Sequence, residues 1–202
     1  MAGRVGVVTV ALDGTISDGV AGGLTVLSGA FNPLHQGHEG MLNAATGITG
    51  TVGVFELSVV NVDKPELPED EVRERMSQFA GRYTALISRA PTFLEKSRIM
   101  PGASFVIGYD TAVRLFDDRY YPAYQREADP ENSGSATLAA MSEIRRNGCA
   151  FIVAGRVTDD GFKTVRDLNV PAGYRPMLRG IPVEVFREDI SSTQIRRSSG
   201  TD

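Results

Sequence analysis

Residues 27–38 read Leu-Ser-Gly-Ala-Phe-Asn-Pro-Leu-His-Gln-Gly-His, and they follow a short apolar run. The apolar run predicts a β-strand, while Met41, Leu42 and Ala45 after the segment indicate a helix. A strand, a turn with Gly29 and a helix N-terminus leave free backbone amides that favour an anion. The segment therefore predicts an anion-binding site where a strand passes into a helix.

The two histidines of this segment, His35 and His38, are the only histidines in the chain. They are three residues apart at the start of the predicted helix, so their side chains share one side and can donate to the same phosphate group. Gly37 keeps that side open, and Gly29 allows close approach of a ligand to the backbone. Capping or core histidines next to a tight turn are the alternative that this spacing alone leaves open.

A second polar motif, Ile190-Ser-Ser-Thr-Gln-Ile-Arg196, lies near the C-terminus. Ser191 or Ser192 is a natural helix cap, and its hydroxyl and the free amides can face an anion. Arg196 is four residues after Ser192 and three after Thr193, so its guanidinium shares a helical face with both hydroxyls. This group suits the β- and γ-phosphates of a nucleotide. A capped surface helix with a solvated arginine is the alternative.

Short β-branched apolar runs alternate with segments of helical period along most of the chain. This alternation is typical of a parallel sheet covered by helices, so we expect an α/β fold. One helix is predicted after His35, one after Pro68 with Val72, Met76 and Phe79 on its apolar face, and one from a Ser135 cap to Asn147 and Gly148. The predicted strands are 24–28, 52–60, 83–87, 104–107, 150–154 and 182–186.

The first 23 residues do not fit this alternation. Residues 6–12 predict a strand, Asp13-Gly14 predicts a hairpin turn, and Thr15-Ile16 begins a return strand. We therefore expect a small N-terminal β appendage at residues 1–23 and the main domain at residues 24–202.

Composition excludes several other classes of protein and site. Twenty-one basic and 25 acidic side chains give a net charge of -4, without the basic bias of a nucleic-acid binder. No run of apolar residues reaches the length of about 18 that a membrane span needs. The N-terminal segment makes a poor signal peptide. A single cysteine, Cys149, excludes an intramolecular disulfide and a multi-cysteine zinc site, and it is interpreted as a buried core thiol. We expect a cytoplasmic protein that binds neither nucleic acid nor membrane, and a homo-oligomer is left open.

Taken together, the two motifs resemble those of the HxGH-motif nucleotidyltransferase superfamily, over roughly residues 24–198. This superfamily includes the nicotinamide- and nicotinate-mononucleotide adenylyltransferases, phosphopantetheine adenylyltransferase and the cytidylyltransferases. The resemblance implies a Rossmann-like parallel sheet of the HUP type, with helices on both faces and the nucleotide over the carboxyl ends of the strands. The Ile-Arg ending of the second motif is more typical of the mononucleotide adenylyltransferases than of the cytidylyltransferases.

Further segments resemble ligand-contacting positions of the adenylyltransferases. Gly108 and Asp110 resemble the hydrophobic-Gly-x-Asp segment that holds the adenosine ribose. Arg156 resembles an arginine at the triphosphate, and Lys64 resembles a lysine on the transferring phosphates or the acceptor phosphate. Residues 90–96 occupy the place of an acceptor-contacting stretch. A turn aspartate, a solvated arginine and an exposed lysine are the respective alternatives.

What the resemblance implies is an adenylyltransferase that transfers AMP from ATP to a small phosphorylated acceptor, a pyridine mononucleotide, and releases pyrophosphate. Mg²⁺ would bind mainly through the triphosphate, because few dedicated protein ligands are evident in the sequence. The expected catalytic residues are His35, His38, Lys64 and Arg196. The expected nucleotide-binding residues are Gly29, Ala30, Phe31, Gly37, Gly108, Asp110, Arg156, Ile190, Ser191, Ser192 and Thr193.

Two departures from the family pattern keep the acceptor open. Ala30 stands where many members carry serine or threonine, and the chain has no tryptophan to stack on a pyridine ring. Phe116, Tyr120 and Tyr121 offer other stacking surfaces in that region. The alternatives are a CTP-dependent cytidylyltransferase that uses a phospho-alcohol, a phosphopantetheine adenylyltransferase and, from another class, a non-catalytic nucleotide-binding sensor.

Overall fold

The computed structural model describes residues 6–62, 65–121 and 135–187. Strands and α-helices alternate through most of this part of the chain, and short 3₁₀ turns lie at Asp118–Tyr120, Val165–Asp167 and Ala172–Met177. The elements in chain order are β1 (Val7–Val10), β2 (Ile16–Asp18), β3 (Thr25–Ser28), α1 (Gln36–Thr49), β4 (Gly53–Ser58), α2 (Glu69–Ser77), β5 (Ala85–Ser88), α3 (Phe93–Ile99), β6 (Ser104–Gly108), α4 (Tyr109–Arg114), α5 (Ser135–Arg146), β7 (Ala150–Ala154), β8 (Arg156–Thr158), β9 (Gly161–Lys163) and β10 (Leu178–Gly180).

Six parallel strands form the centre of the main sheet in the order β5-β4-β3-β6-β7-β10. From β3 the chain first adds β4 and β5 on one side, and it then returns to add β6, β7 and β10 on the other. A reversal of this kind opens a crevice at the carboxyl ends of the central strands, where open α/β sheets bind ligands. The predicted Rossmann-like α/β fold is confirmed.

Helices cover both faces of this sheet. On one face, Leu42 and Ala45 of α1 pack in a core cluster with Phe55 of β4. On the opposite face, Leu94 of α3 and Met141 of α5 belong to the other core cluster. Because successive strand residues point to opposite faces, each buried strand supplies both clusters.

The N-terminal hairpin is present as the sequence predicts, with β1 and β2 antiparallel and Gly14 at a φ of 82° in the turn. Its first strand also pairs with β5, antiparallel to it. The hairpin therefore continues the main sheet at one edge. The boundary at residue 23 between an appendage and the main domain stays a prediction.

Five of the six predicted strands are present within two residues of their predicted ends, but the strand predicted at 182–186 is wrong. There the backbone N–H groups of Val185 and Phe186 donate to the carbonyl of Pro182 at 3.0 and 3.1 Å, which closes a turn. Val183 and Val185 alternate in the sequence like a half-buried strand, yet both are exposed. The last strand of the sheet is β10, which precedes this turn.

The predicted start of α2 and the predicted end of α5 agree with the structure. Pro68 is the N-cap of α2, and α5 ends just before Asn147 and Gly148, whose φ is 73°. Phe79 is buried, but it lies beyond the end of α2 rather than on its face. The predicted cap contacts of Ser135 involve a side chain outside the described residues. No helix in the described ranges has the length and apolarity needed to cross a membrane.

Candidate functional site

The two histidines cap the N-terminus of α1 reciprocally. His35 is the N-cap residue, and its Nδ1 accepts a hydrogen bond from the backbone N–H of Gly37 at 3.2 Å. The Nδ1 of His38 accepts from the backbone N–H of His35 at 3.3 Å. The rings stack with their centroids 3.8 Å apart. Two donors at the helix end are thereby satisfied by imidazole nitrogens.

These hydrogen bonds fix the tautomer of each neutral ring. Because Nδ1 is an acceptor in both, the proton of each neutral imidazole lies on Nε2, at the ring edge away from the helix amides. Burial lowers the pKa of His38 to about 4, with a contribution from His35 beside it. His38 is therefore neutral at pH 7 and presents an N–H donor.

The turn before the histidines is anchored by Phe31, which is fully buried although its φ is 47°. Its ring makes edge contacts with His38, Phe55 and Phe79, with centroids 5.1, 5.4 and 5.2 Å away. A Cβ on Gly29 would come within 2.8 Å of this ring. Gly29 is thus required so that Phe31 can fold back beneath the turn, and Phe31 serves as an anchor of the site.

Side chains from α2 and its C-cap hold the same turn, and the sequence analysis did not find them. The side-chain amide of Gln78 donates to the carbonyl of Phe31 at 2.9 Å and accepts from the N–H of Leu34 at 2.7 Å. Arg75 donates to the carbonyl of Ala30 at 3.1 Å and forms an ion pair with Glu71. Nothing local shows that these residues hold the turn, because their partners in it are more than 40 positions away in sequence.

The second part of the crevice carries the predicted ribose and phosphate residues. Gly108 ends β6 and is the N-cap of α4, so Asp110 lies in the first turn of that helix. Arg156 begins β8, directly after the neighbouring strand β7, and it forms an ion pair with Asp110 in which both side chains are about half exposed. The structure therefore brings Asp110 and Arg156 together at the carboxyl edge of the sheet.

Two adjoining cavities open along this edge and share Asn61, Pro91 and Phe93 in their walls. The larger, of about 260 Å³, adjoins the turn at Gly29 and Ala30, while the rings of His35 and His38 are not among its lining residues. The smaller, of about 170 Å³, lies farther along the crevice. Its other lining residues are Val62, Thr92, Thr111, Arg114, Leu115, Tyr120 and Tyr121.

Several predicted site residues lie outside the described ranges. They are Lys64 and the second motif, with Ile190, Ser191, Ser192, Thr193 and Arg196. Within the described part of the chain there is no group of three or more His, Cys, Asp or Glu side chains that could hold a metal ion. Cys149 is buried, as predicted, and burial raises the pKa of its thiol.

A family model described as cytidylyltransferase-like matches residues 26–198. The chain belongs to this family. The match includes both motifs, from the strand before Gly29 to the residues after Arg196, and it makes the protein a nucleotidyltransferase. The resemblance to the HxGH superfamily is confirmed. No curated protein matches the chain.

The low pKa of His38 predicts a fold that loses stability in mild acid. The unfolded chain binds a proton on this ring near pH 6.5, but the folded chain binds it only near pH 4, so stability falls as the pH drops through this interval. We expect roughly 1–2 kcal/mol of this loss between pH 7 and pH 5, after allowance for the partial exposure of the ring. Urea unfolding of wild type and His38→Asn at both pH values measures it. The loss should be smaller in the variant, and equal losses would contradict the assignment.

The two hydrogen bonds of Gln78 to Phe31 and Leu34 predict that this side chain stabilises the turn before the histidines. Gln78→Leu leaves the carbonyl of Phe31 and the N–H of Leu34 without their partner, so we expect a loss of about 1–3 kcal/mol in unfolding free energy. Gln78→Glu keeps an acceptor for Leu34 but places a carboxylate oxygen opposite the carbonyl of Phe31, so both variants should be less stable than wild type. Chemical denaturation of the three proteins at pH 7 measures these losses. A Leu variant as stable as wild type would show that the two hydrogen bonds of Gln78 are dispensable.

Proposed function

We propose that this protein transfers AMP from ATP to the phosphate of a pyridine mononucleotide and releases pyrophosphate. The observation that carries the proposal is the pair of capping imidazoles, His35 and His38, whose Nδ1 atoms accept backbone hydrogen bonds and leave the ring proton on Nε2. They lie at the start of a helix that follows the central strand β3, where the strand order of the sheet reverses. Donors placed in this way suit the charge that develops on a phosphate during transfer.

The proposed reaction needs no covalent intermediate with the protein. An oxygen of the acceptor phosphate attacks the α-phosphorus of ATP, a new P–O bond forms, and the bond to the β-phosphate oxygen breaks. The electron pair of that bond leaves with pyrophosphate. His35 and His38 would donate hydrogen bonds to the α-phosphate oxygens, and the protein would hold the two anions in line.

The residues of this edge suit a metal ion that arrives with the nucleotide. His35 and His38 offer ring N–H donors, and the carboxylate of Asp110 is paired with Arg156, so this donor set does not suit a dedicated Mg²⁺ site. We therefore propose that the triphosphate supplies most of the ligands to Mg²⁺. When bound, the ion would offset charge on the phosphates.

We assign the adenosine end of ATP to Asp110 and Arg156. The ribose hydroxyls would donate to the Asp110 carboxylate, and Arg156 would turn to the phosphates. Because their ion pair is half exposed, exchanging it for ligand contacts costs about 1 kcal/mol or less.

The pyrophosphate end is assigned to Ser192, Thr193 and Arg196. This assignment is supported by the position of Phe186, which lies four residues before that motif begins. The ring of Phe186 packs against Gly40 of α1, so closely that a Cβ on Gly40 would lie 3.0 Å from it. Gly40 follows His38 by two residues on the same helix. Lys64 is proposed to offset charge on the transferring or acceptor phosphate.

The acceptor is assigned to the two adjoining cavities. The larger cavity, next to Gly29 and Ala30, would take its phosphate, and the smaller one would take its ring. Phe93, Tyr120 and Tyr121 line the smaller cavity and give it aromatic surfaces where a tryptophan is missing. The hydroxyl of Tyr121 donates to the carbonyl of Leu115 at 2.8 Å, which fixes that ring.

The role of His38 in transfer is separable from its role in the helix cap. Asn at position 38 can keep an acceptor for the His35 N–H but removes the Nε2–H donor, so His38→Asn should lower kcat by about 10²–10³ while remaining folded. Pre-steady-state and steady-state rates, with thermal unfolding as the control, measure both roles. A variant with near-normal kcat would remove His38 from the mechanism.

The decisive experiment measures pyrophosphate release with Mg²⁺ and ATP or CTP, each combined with nicotinamide mononucleotide, nicotinate mononucleotide, phosphopantetheine or glycerol 3-phosphate. We expect turnover with ATP and a pyridine mononucleotide. The same mixtures with His38→Asn serve as the control for contaminating activity.

Each other result selects a different function. Turnover only with CTP and glycerol 3-phosphate would make the protein a cytidylyltransferase, and turnover only with phosphopantetheine would change the acceptor. Binding of ATP without release of pyrophosphate from any mixture would favour a nucleotide-binding sensor.

A further inference from the structure

A buried ionic network lies beneath the larger cavity. Lys96 of α3 donates to Glu56 of β4 at 2.5 Å, and their side chains are only 6% and 0% exposed. The other carboxylate oxygen of Glu56 accepts from the hydroxyl of Ser88. Both oxygens of Glu56 are therefore occupied, while the ammonium of Lys96 has three N–H donors and Glu56 accepts from it through one oxygen.

Lys96 is also one of the residues that line the larger cavity. A buried ammonium is costly unless its donors are satisfied, because water no longer solvates it. Arg75 lines the same cavity, but it is engaged by Glu71 and by the carbonyl of Ala30. Among the described residues of this wall, Lys96 is therefore the cation with more N–H donors than its one side-chain partner, Glu56, accepts.

The hydroxyl of Ser28 is a second, independent feature of this cavity. Its oxygen is buried, and it has no hydrogen-bond partner in the described part of the chain. A buried hydroxyl without a partner is uncommon in proteins unless a ligand or an ordered water satisfies it.

The sheet places these groups side by side. Ser28 and Glu56 are partners in the register of β3 and β4, so their side chains point to the same face of the sheet. The backbone N–H of Gly29, the next residue, donates to the carbonyl of Glu56 at 3.1 Å. Lys96 reaches Glu56 from α3, which covers this face. The cavity therefore combines an ammonium and a free hydroxyl beside the turn that leads to the histidines.

We propose that Lys96 and Ser28 form the subsite for the nucleophilic phosphate of the acceptor, an inference that rests on the transfer reaction proposed above. The Lys96 ammonium would donate to one phosphate oxygen and the Ser28 hydroxyl to another. Glu56 holds the ammonium in place and balances its charge when no acceptor is bound. The subsite thus selects acceptors that carry a phosphate monoester, and it does not depend on the chemistry of their ring.

Three variants separate this role from stability. Ser28→Ala removes the orphaned hydroxyl, and the free protein should unfold at the same temperature as wild type or higher. The double variant Lys96→Met with Glu56→Gln removes the ammonium without leaving a buried carboxylate unpaired. Ser88→Ala is the matched control, because it disturbs the network but keeps the Lys96–Glu56 pair.

The measurement is calorimetric binding of nicotinamide mononucleotide and of ribose 5-phosphate, each in the presence of saturating α,β-methylene-ATP and Mg²⁺. We expect Kd for both ligands to rise at least tenfold in the double variant and about three- to tenfold in Ser28→Ala. Ser88→Ala should bind within about threefold of wild type, and all proteins should bind the ATP analogue alike.

The outcomes distinguish the subsite from the reaction. Unchanged Kd values in both folded variants, or a wild type that does not bind ribose 5-phosphate, would overturn the subsite even if pyridine mononucleotides are substrates. Loss of ribose 5-phosphate binding in the variants would support the subsite even if the pyridine acceptor proves wrong.

Discussion

The arrangement of the site depends on the burial of Phe31. Its ring lies among Phe55, Phe79 and His38, and it reaches this place only because Gly29 has no side chain in its path. The turn between β3 and α1 is therefore fixed by packing rather than by its own hydrogen bonds alone. A fixed turn sets the start of α1, and the start of α1 sets the position of both histidines.

The same turn joins the chemistry to the rest of the fold. Gln78 and Arg75 hold it from α2, and Gly29 hydrogen bonds to Glu56 of β4. Through Glu56 it is next to Lys96 of α3. Groups from both helical layers thus meet at the carboxyl end of β3, which is where the strand order reverses and a crevice is expected.

Charge around this crevice is arranged in pairs. Asp110 binds Arg156 near the surface, whereas Glu56 binds Lys96 in the interior. The exposed pair can exchange partners at a small cost in free energy, which suits reversible binding of a ligand. The buried pair is costly to break, which suits a cation that must stay in one position.

Local sequence patterns were enough to predict the fold class and the helix start at the first motif. Alternating apolar runs predicted five strands of the main sheet, and His35, Gly37 and His38 lie at a helix start as predicted, because both signals come from neighbouring residues. The apolar run before Gly108 and Asp110 is also a local signal, and β6 ends at Gly108. The match to the cytidylyltransferase-like family agrees with these local patterns.

Tertiary structure decided the contacts between distant residues. Glu56 lies in an apolar run and Lys96 in a short amphipathic helix. Nothing in either segment shows that they meet, because the packing of α3 on the sheet brings them together. Gln78 is hidden for the same reason. The error at 182–186 has a related cause. Val183 and Val185 alternate as in a strand, but the edge of the sheet beside β7 is occupied by β10, and no local pattern shows which segment pairs there. Local periodicity specifies elements, whereas their mutual contacts depend on long-range packing.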